Sequence, residues 1–225
     1  VATSIIPGTG ALLMGLGLGA KLMRVVHGSI EIKFERLIRE GESLRCTATF
    51  QGVEQKRTGD VLSFDFRIAD GGDNTVSSGV TRYFVRGETK GGKPAEPKPD
   101  RGEPDLEIKD VIPAGQSLLY AEGSGDRFPI HTDENFAKSV GLPGVILHGM
   151  CTLAFATRAI VESVADGDSS CLQGVAVRFT GMVFHGDRLT HRIWRTDDGV
   201  AFTTTNQDGR IVLDDGRALL GSGVN

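Results

Sequence analysis

Apolar and polar positions alternate along two early stretches: Ile30, Ile32 and Phe34 against Glu31, Lys33 and Glu35, then Leu62, Phe64, Phe66 and Ile68 against Ser63, Asp65 and Arg67. A period of two with one wet face predicts antiparallel strands. The period becomes helical from about His148 to Ala165, where Met150, Leu153, Ala154, Ile160, Val161 and Val164 form one stripe. Four strand-like runs follow, Leu172 to Thr180, Arg188 to Arg195, Val200 to Asn206 and Arg210 to Leu213, with the turn Gln207-Asp208-Gly209 between the last two. Between Gly87 and Asp105 the pattern stops. GETKGGKPAEPKPDRGEPD holds half of the chain's 8 prolines, many charges and no large apolar side chain, and reads as a linker.

The two patterned halves also resemble each other. IEIKFERLIREGESL, from Ile30, lies over VAVRFTGMVFHGDRL, from Val175, at an offset of 145, matching Phe34 to Phe179, Gly41 to Gly186 and Leu44 to Leu189. At an offset of 138, Phe64 falls on Phe202 and Asp70-Gly71 on Asp208-Gly209; at 141, Ile5-Ile6-Pro7-Gly8 falls on Ile146-Leu147-His148-Gly149. Three matches in the same order, with offsets that drift as loop insertions make them drift, indicate a duplicated module. The copies are unequal. On the last alignment Val1 lies over Leu142, so residues 110 to 141 have no counterpart, and any chemistry there occurs once.

Composition narrows the class. With 25 Lys and Arg against 29 Asp and Glu, the net charge of −4 carries no nucleic-acid footprint. Hydrophobic residues at 39% and charged residues at 24% are those of a globular protein with a core. Cys46, Cys151 and Cys171 are too few and scattered for a disulfide framework or a zinc site, which predicts a cytoplasmic protein. The first 20 residues are uncharged, but Pro7 and five glycines interrupt them and no basic segment precedes them, so neither a signal nor a membrane span is predicted. Because the first copy lacks the opening segment of the second, the natural chain is expected to extend upstream of Val1.

The unmatched stretch contains Asp126-Arg-Phe-Pro129-Ile-His131, then Thr132-Asp133 opening a short helix, then Leu142-Pro-Gly-Val-Ile-Leu-His148-Gly149-Met150. An Asp and a His five residues apart, stiffened by Pro129, can hold one water between a carboxylate and an imidazole. The alternative, in which Asp126 is a turn residue and His131 packs at the helix start, is the more frequent use of such a pair in isolation.

GDRFPIH, TDENFAKSVGLPG and VILHGM together resemble the hydratase 2 family, the (R)-specific enoyl-CoA hydratases or MaoC-like dehydratases. The match covers about thirty residues. It implies an α+β double hot-dog fold: two modules, each a long helix packed on an antiparallel sheet, paired as a pseudo-dimer with one catalytic copy. On that reading residues 1–86 are a noncatalytic module, 87–108 the linker and 109–225 the catalytic module. The resemblance makes Asp126 and His131 the catalytic pair for syn addition of water to a trans-2-enoyl thioester. The backbone N–H of Gly149, at a helix start where glycine lets a thioester approach, is the candidate oxyanion donor. Phe128, His148 and Met150 are the expected substrate contacts. No metal or redox cofactor is expected, the coenzyme A thioester being the substrate; no nucleic acid or membrane partner is implied, and a homodimer is allowed. One departure is Phe128, where the family usually carries Asn. Two rivals stay open: a hot-dog thioesterase, and a noncatalytic thioester-binding subunit.

Other motifs carry less. Gly15-Leu-Gly17-Leu-Gly19-Ala20 matches a dinucleotide fingerprint, with Glu35 at a suggestive distance, but lacks the preceding buried strand. His185 and His191, split by Gly186, lack metal-ligand spacing and read as surface or strand histidines. Cys151 reads as a small buried helix residue, and Glu122 as solvent-facing. Arg127, Lys138 and Arg178 are candidate phosphate contacts by position alone.

Overall fold

In strand β1 (Val25–Phe34) Ile30 and Ile32 enter the core while Glu31 and Lys33 stay in water, so the alternation read from the sequence is the alternation of the pleat. The computed structural model describes residues 13, 15–18, 23–87 and 101–221. After β1 come β2 (Arg45–Lys56), β3 (Gly59–Ala69), β4 (Thr75–Arg86) and β5 (Leu106–Val111). Helix α1 (Gln116–Ser124), a 3-10 turn (Pro129–His131), α2 (Glu134–Ser139) and the long α3 (Gly149–Val164) follow, and then β6 (Leu172–Phe179), β7 (Arg188–Thr196), β8 (Gly199–Thr205) and β9 (Ile211–Leu220).

The strands make one nine-stranded antiparallel sheet in the order β2-β3-β4-β1-β6-β9-β8-β7-β5. Read outward from the β1–β6 seam, the order is β1, β4, β3, β2 on one side and β6, β9, β8, β7 on the other. At the seam Ile30 faces Val177, Ile32 faces Val175, and Glu31 faces Ala176. The repeat aligns Ile30 with Val175 and Ile32 with Val177, so the seam is self-complementary in the manner of a two-fold dimer interface, with the local axis at Glu31 and Ala176. Register breaks recur as well: β1 slips against β4 between His27 and Ser29, and β6 slips against β9 between Leu172 and Gly174, again 145 residues apart.

Helix α3 lies against β6, β7 and β9. Its buried face (Met150, Leu153, Ala156, Ile160) joins Ile30, Ile32, Phe66 and Ile68 of the first half and Val175, Ile193, Phe202 and Val212 of the second in one apolar cluster. Burial on this scale contributes about 25 cal/mol per Å² of apolar surface and holds the two halves together. The helix spans the predicted segment less one residue at each end. The long helix expected of the first module, which the 141 offset would start near Gly8, falls largely outside the described residues.

Two boundaries differ from the sequence reading. Strand β5 opens at Leu106, inside the segment 87–108 read as linker, because Leu106 and Ile108 pack on the core; residues 88–100 lie outside the description. Strand β9 runs seven residues past the predicted Leu213. Its Asp214-Asp215-Gly216 breaks the alternation, Asp215 adopting φ 53°, and the register against β8 slips there.

Candidate active site

Asp126 stands just beyond helix α1. Gly125 ends the helix at φ 76°, its N–H donating to the Ala121 carbonyl, a left-handed cap that favours glycine. The Asp126 amide then donates to Ser124 Oγ at 3.1 Å, and Asp126 Oδ1 accepts from the Phe128 N–H at 3.2 Å. Pro129 opens the 3-10 turn that carries His131, and Asp133 caps α2 by accepting from the Phe136 N–H at 2.9 Å.

His131 Nδ1 lies 2.9 Å from the Ile146 carbonyl oxygen, which can only accept, so Nδ1 bears the hydrogen and the Nε2 lone pair is left open. His148 is buried, and its Nε2–H donates to the Asp126 backbone carbonyl at 2.9 Å, tying the start of α3 to the Asp126 loop. The His131 and His148 rings stack at 3.9 Å, and Tyr120 packs against His148 at 4.8 Å. Burial, reinforced by the neighbouring His148, pushes the His131 pKa down to about 4; burial lowers that of His148 also. Both rings are therefore neutral near pH 7.

Gly149 opens α3. The first bond of that helix runs from the Thr152 N–H to the His148 carbonyl, so the amides of Gly149, Met150 and Cys151 precede its ladder, and they sit at the positive end of the helix dipole. Glycine here also answers to packing: a Cβ would come within 3.0 Å of the Phe179 ring. The glycine thus makes room for Phe179 in addition to any room it leaves for a ligand.

These groups line one cavity of about 510 Å³. Asp126, Phe128, His131, His148, Gly149 and Met150 all reach it, so the structure brings together every residue singled out as a site residue. Val25, Val26, His27, Tyr83 and Arg86 of the first half form part of its wall. A larger groove of about 1450 Å³ shares Met150 with it but touches neither Asp126 nor His131. Phe128 is 37% exposed and meets Phe136 edge to face, whereas Met150 is buried.

The secondary candidates are placed otherwise. His191, read as a surface or strand histidine, is a strand residue with no exposure at all, bonded through Nδ1 to Thr204 Oγ1 at 2.8 Å. His185 Nε2 lies 2.8 Å from Ser117 Oγ at the start of α1. Cys151 is buried with its thiol pushed up to about 11, which removes it as a nucleophile. Glu122 is exposed. Lys138 pairs with Glu134 and Arg178 with Asp215, and neither they nor Arg127 line the cavity; its permanent cation among the described residues is Arg86. Of the fingerprint, Gly19 and Ala20 lie outside the described residues. Sequence reasoning missed His27, Tyr83 and the Ile146 carbonyl. One signal was present for His27: at the 145 offset it falls on Leu172, a polar ring where the other copy is aliphatic.

Asp126, His131 and His148 each offer a potential metal-ligand atom, all within 4.8 Å of one another. His131 Nδ1 and His148 Nε2 are committed to carbonyls, so a metal would be left Nε2 and Nδ1 on two stacked rings, whose parallel faces converge poorly. The set suits proton handling better than ligation. Among the described residues no helix is long and apolar enough to cross a membrane.

The MaoC-like domain family matches residues 96–216. The 3-hydroxyacyl-thioester dehydratase Y of Mycobacterium tuberculosis is 40% identical over 208 residues, covering 85% of this chain and 71% of that protein. The peroxisomal enoyl-CoA hydratase 2 of Arabidopsis thaliana is 30% identical over 185 residues, covering 76% of this chain and 60% of that one. Among solved structures, a MaoC-like dehydratase from Phytophthora capsici superposes with a TM-score of 0.80 at 26% identity, covering 90% of this chain and 73% of the other.

Proposed function

The chain belongs to the MaoC-like family, with the α+β hot-dog fold and the hydro-lyase activity of hydratases and dehydratases, and from that premise we propose that it adds water reversibly to a trans-2-enoyl-CoA, giving the (3R)-hydroxyacyl-CoA. The observation that carries this reading is the His131 imidazole. The Ile146 carbonyl holds its proton on Nδ1, and a free Nε2 faces a cavity shared with the Asp126 carboxylate and the Gly149 amide.

The chemistry follows from those three groups. A water held between Asp126 and His131 gives one proton to His131 Nε2 as its oxygen bonds the β-carbon. The π electrons move through the α-carbon to the thioester oxygen, where the Gly149 N–H meets the developing charge; such a donor is worth about 3 kcal/mol when preorganised. The imidazolium then delivers the same proton to the α-carbon and the carbonyl re-forms. One water supplies both hydroxyl and proton from one face, which makes the addition syn. A histidine whose pKa is held near 4 is a strong acid once protonated, as protonation of carbon requires. Asp126 orients the water by accepting its second hydrogen. No metal or redox cofactor enters these steps.

The same reading assigns residues 109–225 as the catalytic module and 1–86 as a noncatalytic partner. Asp126, His131 and Gly149 all belong to the former, while the latter walls the cavity and covers the β6 edge.

The direct test adds crotonyl-CoA and follows loss of its conjugated ultraviolet absorbance, with a thiol reagent in a parallel cuvette. Loss of absorbance without thiol release, insensitive to a chelator and giving the (3R) product on chiral analysis, is the expected result. Thiol release would establish the thioesterase instead. No change with short, long or branched enoyl-CoAs would overturn the reading.

A further inference from the structure

Strand β1 carries one residue too many for its partner. Val25, Val26 and His27 pair with Val85, Phe84 and Tyr83, and Ser29 pairs with Arg82, which leaves Gly28 unpaired as a bulge. Without it the face that buries Ile30 and Ile32 would next present residue 28; with it, that face presents His27. Bulges re-aim side chains in this way and occur often beside active sites. Here the re-aimed side chain enters the catalytic cavity from the half that has no catalytic segment.

His27 is held by four neighbours. Its Nε2 lies 2.8 Å from Thr81 Oγ1, a backbone hydrogen bond ties it to Ser29, and its ring is stacked on Tyr83 at 5.0 Å and 20°. It also meets the Phe179 ring, at 4.5 Å and 39°. Phe179 in turn is the ring that a Cβ on residue 149 would strike at 3.0 Å. Tyr83, His27, Phe179 and the backbone of Gly149 thus form one packed row along the cavity wall, from the first half to the start of α3. The second copy has the same bulge, with Leu172 at the matched position in place of the ring.

We propose that His27 is a positioning residue for the Gly149 amide, acting through Phe179. It is the means by which the noncatalytic half sets the oxyanion donor of the other. This rests on the hydratase reading and on Gly149 as donor. The requirement is geometric: a donor displaced by about 1 Å forfeits about 10²-fold in rate, because its dipole no longer meets the charge where it develops. An aliphatic side chain at position 27 would leave Phe179 without a flat neighbour and free to tilt away from Gly149. Half-buried between Tyr83 and Phe179, the His27 ring is neutral at working pH, and it acts as a braced aromatic surface, not as an acid or base.

The test is steady-state hydration of crotonyl-CoA by the full chain and its variants, with thermal midpoints measured alongside. His27→Phe keeps a ring in the row and is expected to retain kcat within about threefold with an unaltered pH profile. His27→Ala is expected to lose about 10- to 100-fold in kcat with KM within about threefold, and Phe179→Leu to behave alike. The double variant His27→Ala/Phe179→Leu should be little worse than the poorer single, since both break one contact. Should His27→Ala not fold, Phe179→Leu set against His27→Phe reads the same contact from its other side. Unchanged kcat in His27→Ala, equal defects in His27→Phe and His27→Ala, or a loss carried by KM would each overturn the proposal. A wild-type protein that hydrates nothing would instead sink the reading of the active site.

Discussion

The imidazoles of His131 and His148 lie face to face, 3.9 Å between centroids and 22° apart in plane. Each directs one nitrogen to a backbone carbonyl, His131 to Ile146 and His148 to Asp126. Charging either ring would set a cation against its neighbour in a place poor in water, so the stack keeps both neutral and leaves His131 Nε2 with an open lone pair.

That arrangement fixes the pH behaviour. His131 and His27 are both depressed to about 4, below the 6.5 of an unfolded histidine. Below 6.5 the unfolded chain therefore takes up protons that the folded chain refuses, and stability is lost as pH falls from 6.5 toward 4 while being fully present above 6.5. Thermal midpoints measured across this window should decline with acidification. Short assays, begun by a jump in pH, should place the acid limb of kcat/KM nearer 4 than 6.5.

Removing either member of the pair should abolish most of the rate while leaving the fold. Asp126 and His131 are on a surface-reaching loop and turn, outside the apolar cluster. Asp126→Asn and His131→Ala are each expected to lose about 10²- to 10⁴-fold in kcat, with circular dichroism unchanged. Full activity in both would move the chemistry elsewhere.

Gly149→Ala should be costly twice over. The added methyl meets Phe179 at 3.0 Å, and overpacking of this kind costs about 1–3 kcal/mol. Denaturant titration should show that loss of stability, and kinetics should show a lower kcat from the displaced amide.

Thr204→Val tests the buried histidine that has no part in the site. Thr204 and His191 are both fully buried, and the substitution leaves His191 Nδ1 without its 2.8 Å partner. His191 Nε2 lies 3.2 Å from Asp110 Oδ2, a contact that the substitution leaves in place and that does nothing for Nδ1. Stability should fall by about 1–3 kcal/mol in denaturant titration, with kcat unchanged.

Residues 101–225, which keep β5 whole, should lose solubility and activity together when expressed alone. The fragment would bare the β6 edge that β1 covers and remove His27 and Tyr83 from the cavity wall. Sedimentation and the crotonyl-CoA assay decide this; a fully active soluble monomer would contradict the role given to the first half.

Local order was written in the sequence wherever one interaction dominates a few neighbouring residues. The alternation of Ile30 to Phe34 and the helical stripe from Met150 to Val164 report burial within one element, and each is found where the pattern puts it except at Ala154, which is exposed. The unequal repeat, with Asp126 and His131 in its unmatched segment, was legible in the same way, because duplication leaves residue identities at a constant offset. Strand β5 and the far end of β9 were not: their apolar positions are few or interrupted, and their pairing is decided by partners distant in sequence. The same holds for what surrounds the chemistry. Nothing local to His131 says that the Ile146 carbonyl will hold its proton or that the His148 ring will lie against it. Nothing local to Gly149 says that Phe179 will need its missing side chain. Protonation state, stacking and cavity walls depend on groups brought within a few ångströms by the whole sheet, and a one-residue bulge at Gly28 was enough to turn a histidine of the first half toward the cavity that Asp126 and His131 line.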